Sequence, residues 1–180
     1  MKSIVLALAL GLAACGPGEA QVSDDTSTGP SLELTGRFVD QAKLFDAARA
    51  HALEQRLARL EQATSDQLVV VSVPSLGGQP IDQFAKSLGS RWGIGRADVD
   101  SGVVMLTAPS ERKVWISVGT GLEGLLTNQR TQGIVDRMLP NFKRGNLPAG
   151  VERGVSEIEQ TLLTDKRRPQ RVTEPARKAA

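Results

Sequence analysis

The segment Leu68-Val69-Val70-Val71-Ser72-Val73 limits the fold more than any other part of the sequence. It is short, mostly β-branched, almost unbroken in its apolar character and closed by Pro74. A strand that meets solvent on one face alternates apolar and polar residues; a run without alternation is what a strand covered on both faces requires. Such a strand needs helices above and below it.

The neighbouring segments supply them. From Leu44, the residues Phe45, Ala48, Ala52, Leu53, Leu57 and Leu60 recur at three- and four-residue steps. This predicts a long amphipathic helix ending near Thr64, with Arg56, Arg59 and Glu61 on its wet side. Ile81, Phe84, Ala85, Leu88 and Trp92 repeat the stripe, and Pro80 suits a first helical turn. Gly102–Thr107 and Lys113–Val118 flank a turn at Ala108–Arg112 and predict an antiparallel hairpin. Its second strand alternates, with Val114, Ile116 and Val118 on one face, so it should be the less buried of the two. Thr127 can cap a helix through about Met138, which Pro140 is expected to stop. Val151, Val155, Ile158 and Leu162 mark a last helix, with Pro148 near its start. The order predicts an α/β fold in which a mixed sheet lies between helical layers.

The chain of 180 residues suits one core. With 40% hydrophobic and 23% charged residues it has a globular composition. Four Phe, two Trp and no Tyr leave little from which to build the aromatic platforms that stack bases. Nucleic acid is therefore not an expected partner. The net charge of +2 conceals an uneven distribution. Residues 165–180 carry Lys166, Arg167, Arg168, Arg171, Arg177 and Lys178 against Asp165 and Glu174, so a basic disordered tail follows a slightly acidic body. Such a tail can meet anionic lipid or acidic partners, or simply stay solvated.

The amino terminus reads as a targeting segment. Lys2 precedes an apolar stretch, Ile4–Leu12, and the small residues Ala13-Ala14 stand before the single cysteine, Cys15. The stretch is too short for the roughly 20 residues that span a bilayer as a helix, and it has the layout of a cleaved signal. Leu12-Ala13-Ala14-Cys15 resembles the bacterial lipoprotein signal, in which the cysteine is lipidated and becomes the first mature residue. On this reading residues 1–14 are the signal, 15–35 a flexible tether rich in Gly, Pro, Ser, Thr and Asp, 36–164 the folded domain and 165–180 the basic tail. The expected location is the cell envelope, lipid-anchored and facing the periplasm. Gly16 carries no acidic inner-membrane retention signal, which favours the outer membrane.

Chemistry must come from oxygen ligands. The one histidine, His51, lies within the first predicted helix, and the one cysteine belongs to the signal. Soft-ligand zinc sites and nucleophilic triads therefore lack parts. Asp40, Asp98, Asp100, Glu123 and Asn128 remain, all predicted in loops beside the sheet. Such oxygens bind hard cations, Ca²⁺ or Mg²⁺; each alone also suits a turn or a helix cap.

Five blocks, in order, go further. They are Gly36-Arg37-Phe38-Val39-Asp40; Leu60-Glu61-Gln62-Ala63-Thr64 with Gln67-Leu68-Val69-Val70-Val71; Trp92-Gly93-Ile94-Gly95 with Asp100-Ser101-Gly102-Val103; Arg112-Lys113-Val114; and Gly119-Thr120-Gly121-Leu122-Glu123-Gly124. With them the body from Gly36 to about Leu163 resembles the TPM domain of bacterial YgcG-type proteins and of a plant thylakoid-lumen protein. The resemblance implies a three-layer α/β/α sandwich, divalent-metal binding as in some members, and acid phosphatase activity as in the plant protein. It matches Asp40, Asp100 and Glu123 to the family's acidic positions. Ser101 stands where the pattern usually has Asn, and Asn128 where Thr-Asp is usual, which removes a carboxylate from any metal site. Many relatives continue into a transmembrane helix; here the lipid anchor is expected to supply membrane attachment.

Two functions follow from the resemblance and the anchor together. One is a tethered accessory module for assembly or repair of envelope protein complexes, with a divalent cation steadying its loops. The other is a metal-dependent phosphomonoester hydrolase in which Asp40, Asp100 and Glu123, with Asn128, hold the cation and Arg112 clamps the phosphate. The second requires the three carboxylates to converge within about 5 Å of one point, given ligand distances of roughly 2.3–2.6 Å.

Overall fold

The computed structural model describes residues 32–165; the signal, Cys15, most of the tether and the basic tail beyond Asp165 lie outside them. Four strands, β1 (Phe38–Asp40), β2 (Gln67–Ser72), β3 (Gly102–Ala108) and β4 (Lys113–Val118), form one sheet in the order β1-β2-β3-β4. The first three are parallel and β4 is antiparallel to β3. The helices are α1 (Ala47–Thr64), α2 (Ile81–Trp92), α3 (Asn128–Lys143) and α4 (Leu147–Leu163).

The three-layer α/β/α sandwich follows from strand parity. Leu68, Val70, Val103, Met105 and Ile116 pack under α1, α3 and α4, where Leu57, Ile134, Met138, Val155 and Ile158 close the larger core. Val69, Val71, Val104 and Leu106 face the other way, onto Ala85 and Leu88 of α2. The uninterrupted apolar character of β2 and β3 is thus the trace of two cores sharing one sheet. β4 is one of the two edges, and its Trp115 is 41% exposed. With the parallel strands in sequential order and α1 and α2 on opposite faces, one of the two crossovers is left-handed, against a right-handed rule of about 98%. That arrangement leaves α2 as the single helical wall on its own face of β3 and β4.

Local chemistry moves several boundaries. Leu44 and Phe45 stay out of α1 because their N–H groups donate to the Asp40 carboxylate (3.0 and 2.9 Å); the helix starts after Asp46, whose side chain accepts from the Arg49 N–H. Arg56 and Glu61 are not free on a wet face: Arg56 pairs with Glu159 of α4, and Glu61 with Arg37 at 2.5 Å. Pro80 caps α2 from an extended backbone, one position before the first turn. Pro140 does not stop α3, which runs on to Lys143. Proline removes one hydrogen bond from a helix interior; here Asp136, whose carbonyl loses it, is exposed, while Met138 and Phe142 keep both sides of the break packed. The short β1 carries no period from which a strand could be read. The folded body also begins upstream of Gly36, at buried Leu32, whose carbonyl accepts from Trp92 Nε1 at 3.2 Å.

Candidate functional site

A cleft of about 950 Å³ opens at the end of the sheet where β3 begins and β4 finishes. α2 forms one wall and β3–β4 the floor. Asp100, Glu123 and Asn128, three of the four residues expected to hold a metal, line it together.

The glycine blocks explain how this end is built. The chain leaving α2 and the chain leaving β4 both press onto the backbone of Val99–Gly102. A Cβ on Gly95 would sit 2.5 Å from the Gly102 nitrogen, and Gly95 itself adopts a left-handed conformation (φ +102°). A Cβ on Gly121 would lie 1.8 Å from the carbonyl oxygen of Val99, and one on Gly119 would lie 2.6 Å from Asp100 Oδ1. Backbone meets backbone here, so side chains are excluded. Gly95 N–H donates to Gln67 Oε1 (2.8 Å), and Gly119 N–H to the Gly102 carbonyl (2.8 Å), which fixes both crossings to the strands.

Asp100 sits at the centre of this knot with a left-handed backbone (φ 47°). Its Oδ2 accepts from the Thr120 N–H (2.8 Å) and hydroxyl (3.0 Å), and its carbonyl accepts from the Gly121 N–H (3.2 Å). The side chain is exposed to the cleft. Asn128 opens α3 directly after the cap Thr127, whose hydroxyl accepts from the Arg130 N–H. Nearby Arg96 hydrogen-bonds Asp98 (3.0 and 2.5 Å) and holds that carboxyl below its ordinary range.

The other two expected site residues stand elsewhere. Asp40 ends β1, in register with Ser72 of β2, which is itself in register with Thr107 near the end of β3. That is the opposite end of the sheet from Asp100, which precedes β3; seven strand residues separate the ends by about 20 Å. Asp40 is also fully employed: its oxygens accept from Leu44 N–H, Phe45 N–H and the Ser72 hydroxyl. Arg112 lies at that far end too, in the β3–β4 turn. Among the described residues, no three of His, Cys, Asp and Glu group closely enough to hold a metal ion. A cation shared by Asp40, Asp100 and Glu123 therefore does not fit this geometry, whereas Asp100, Glu123 and Asn128 share one cleft.

Some cleft residues escaped the sequence reading. Trp115 and Ser117 line the floor on the face of β4 opposite Val114, Ile116 and Val118. The same alternation that identified the strand held that signal. Lys86 comes from the outer side of α2.

The sequence model of the TPM domain matches residues 38–161. The chain belongs to the TPM-domain family. Its match spans β1 through most of α4, the whole sandwich just described. Among solved structures, the N-terminal domain of a protein from P. gingivalis is 31% identical, with a TM-score of 0.66 over 71% of this chain and 82% of that one. The N-terminal domain of the cg2496 protein from Corynebacterium glutamicum (12% identity, TM-score 0.56, 75% and 84% covered) shares the TPM fold. So does the BA42 protein of the psychrophilic bacterium Bizionia argentinensis (16%, 0.57, 66% and 81%). Comparison with curated proteins gave no match.

Proposed function

We propose that this TPM domain is a non-catalytic accessory module of the cell envelope, tethered through lipidated Cys15 and facing the periplasm, where it assists assembly or repair of envelope protein complexes. Its binding site is the cleft of Asp100, Glu123 and Asn128, and a divalent cation, Ca²⁺ or Mg²⁺, steadies the loops there. The observation that carries this reading is the separation of the groups a hydrolase would need. Phosphoryl transfer depends on charge stabilisation and positioning at one point. Here Asp100 and Glu123 lie at one end of the sheet, while Asp40 and Arg112 lie at the other.

A bound cation would supply positive charge between two carboxylates that otherwise face solvent together. Asp100 presents its carboxylate to that position, held by the Thr120 N–H and hydroxyl. Asn128 adds a neutral oxygen without adding charge. Two carboxylates and an amide make a weak site, occupied at extracellular rather than cytosolic cation levels. That suits an envelope location.

Purified full-length protein, assayed with para-nitrophenyl phosphate in Ca²⁺ or Mg²⁺, should give no turnover above buffer, and cell fractionation should find it with membranes unless Cys15 is changed to Ser. Steady turnover abolished by Asp100→Ala would replace this reading with the hydrolase. A soluble wild-type protein would remove the anchor.

A further inference from the structure

A second cleft, of about 590 Å³, lies at the opposite end of the sheet, between the β3–β4 turn and the α3–α4 turn. Leu139 and Phe142 of α3 form its apolar wall, and Arg112, Lys113 and Lys143 stand around it. No acidic residue lines it, although the larger cleft carries Asp82, Asp100 and Glu123. Arg112 and Lys143 make no ion pair among the described residues; neighbouring Glu111 is kept ionised first by the Ser75 hydroxyl and then by the Leu76 N–H, with the Lys113 charge adding least. The chain has thus gathered basic residues around an apolar hollow without compensating them.

The third observation lies inside. Thr107 also lines this cleft, is 2% exposed, and its hydroxyl has no hydrogen-bond partner among the described residues. It shares the face of β3 with Val103 and Met105, the side covered by α3. Its neighbour in register, Ser72, has spent its own hydroxyl on Asp40. A buried hydroxyl without a partner is costly and uncommon. Its oxygen is closed to a water-sized probe, so a ligand at the inner end of the cleft meets it only when the Thr107 side chain turns toward the cavity that the residue lines.

We propose that this cleft binds a small amphipathic anion: the apolar body lies against Leu139 and Phe142, the anionic head meets Arg112 and Lys143 at the mouth, and a polar atom at the inner end bonds the Thr107 hydroxyl. The volume falls in the range of small-molecule pockets, which are mainly apolar with few polar groups fixing orientation. The wall is preformed, because Phe142 packs directly on Gly150, where any Cβ would collide with its ring. The site lies at the carboxyl ends of the parallel strands, where open α/β sheets tend to take ligands. It is independent of the cation cleft.

Para-hydroxybenzoate, benzoate and para-cresol separate the three parts of the claim when titrated calorimetrically into the full chain. The first carries head, body and inner hydroxyl; the second lacks the hydroxyl and the third the charge. Para-hydroxybenzoate should bind about five- to tenfold more tightly than benzoate, and cresol more weakly than either. Thr107→Val, which keeps the shape, should erase the preference for the hydroxyl, and Thr107→Ser should restore it. Arg112→Gln with Lys143→Gln should weaken both acids several-fold and flatten their salt dependence. Should Thr107→Val fail to fold, the wild-type ranking and the Ser variant still decide. Absence of binding at about 10 mM, or a hydroxyl preference that survives in Thr107→Val, overturns the proposal.

Discussion

Gly121 lies so close under Val99 that a Cβ on it would come within 1.8 Å of the Val99 carbonyl oxygen. The contact is between two loop backbones, so a side chain cannot move aside to relieve it. Gly121→Ala should therefore destabilise the domain by about 1–3 kcal/mol, as overpacking does, and displace Asp100. Chemical denaturation of the variant against wild type measures it. Gly78, which has open space around it but a left-handed backbone (φ +84°), is the control: alanine there should cost about 1 kcal/mol and leave the cleft intact.

Asp40→Asn tests the structural role of that carboxylate. The variant exchanges an acceptor of three hydrogen bonds, from Leu44, Phe45 and Ser72, for an amide that can accept with one oxygen only. A loss of about 2 kcal/mol in urea unfolding is expected. Fraying should be confined to the β1–α1 turn, visible as faster amide exchange at Leu44 and Phe45.

Gly150→Ala tests the α3–α4 seam. The new methyl would meet the Phe142 ring, whose displacement moves the wall of the smaller cleft. Stability should fall by about 1–3 kcal/mol. Binding of para-hydroxybenzoate should fall with it, whereas any cation effect at the larger cleft should not change.

Part of the acid sensitivity should arise between α3 and α4. The Arg137 guanidinium, helped by Arg153, holds the Glu157 carboxyl below its ordinary range. A carboxyl whose folded pKa is depressed contributes stability that is fully present above its unfolded pKa and is lost as pH falls through the folded value. Stability should thus decline as pH drops below about 4.5, and Glu157→Gln should remove part of that slope. Because Arg137 and Arg153 are more than half exposed, the change at neutral pH should stay within about 1 kcal/mol. Thermal melts across the acid range read both.

The layered fold was legible because β2 and β3 are apolar on both faces and the helices between and after them are striped. The three-residue β1 was not, being too short for any period, and Pro140 misled because a helix can tolerate a lost hydrogen bond at an exposed carbonyl. The site was half legible. Asp100, Glu123 and Asn128 line one cleft. Asp40 and Arg112 look like their partners in sequence, since nothing in a linear pattern says which end of a strand a loop residue will reach. The topology does: Asp40 ends a strand parallel to β3, while Asp100 precedes β3 itself. Thr107 reads as one more β-branched strand residue, and its unmet hydroxyl appears only once its neighbours are in place.

The central claim is that Asp100, and not Asp40, belongs to the binding cleft. Calcium titration followed by the melting temperature tests it on three proteins: wild type, Asp100→Asn and Asp40→Asn. Calcium should raise the melting temperature of wild type and of Asp40→Asn by the same increment, the latter from a lower baseline, and leave Asp100→Asn unmoved. An increment lost in Asp40→Asn but kept in Asp100→Asn, or no increment in any of the three, would contradict the account.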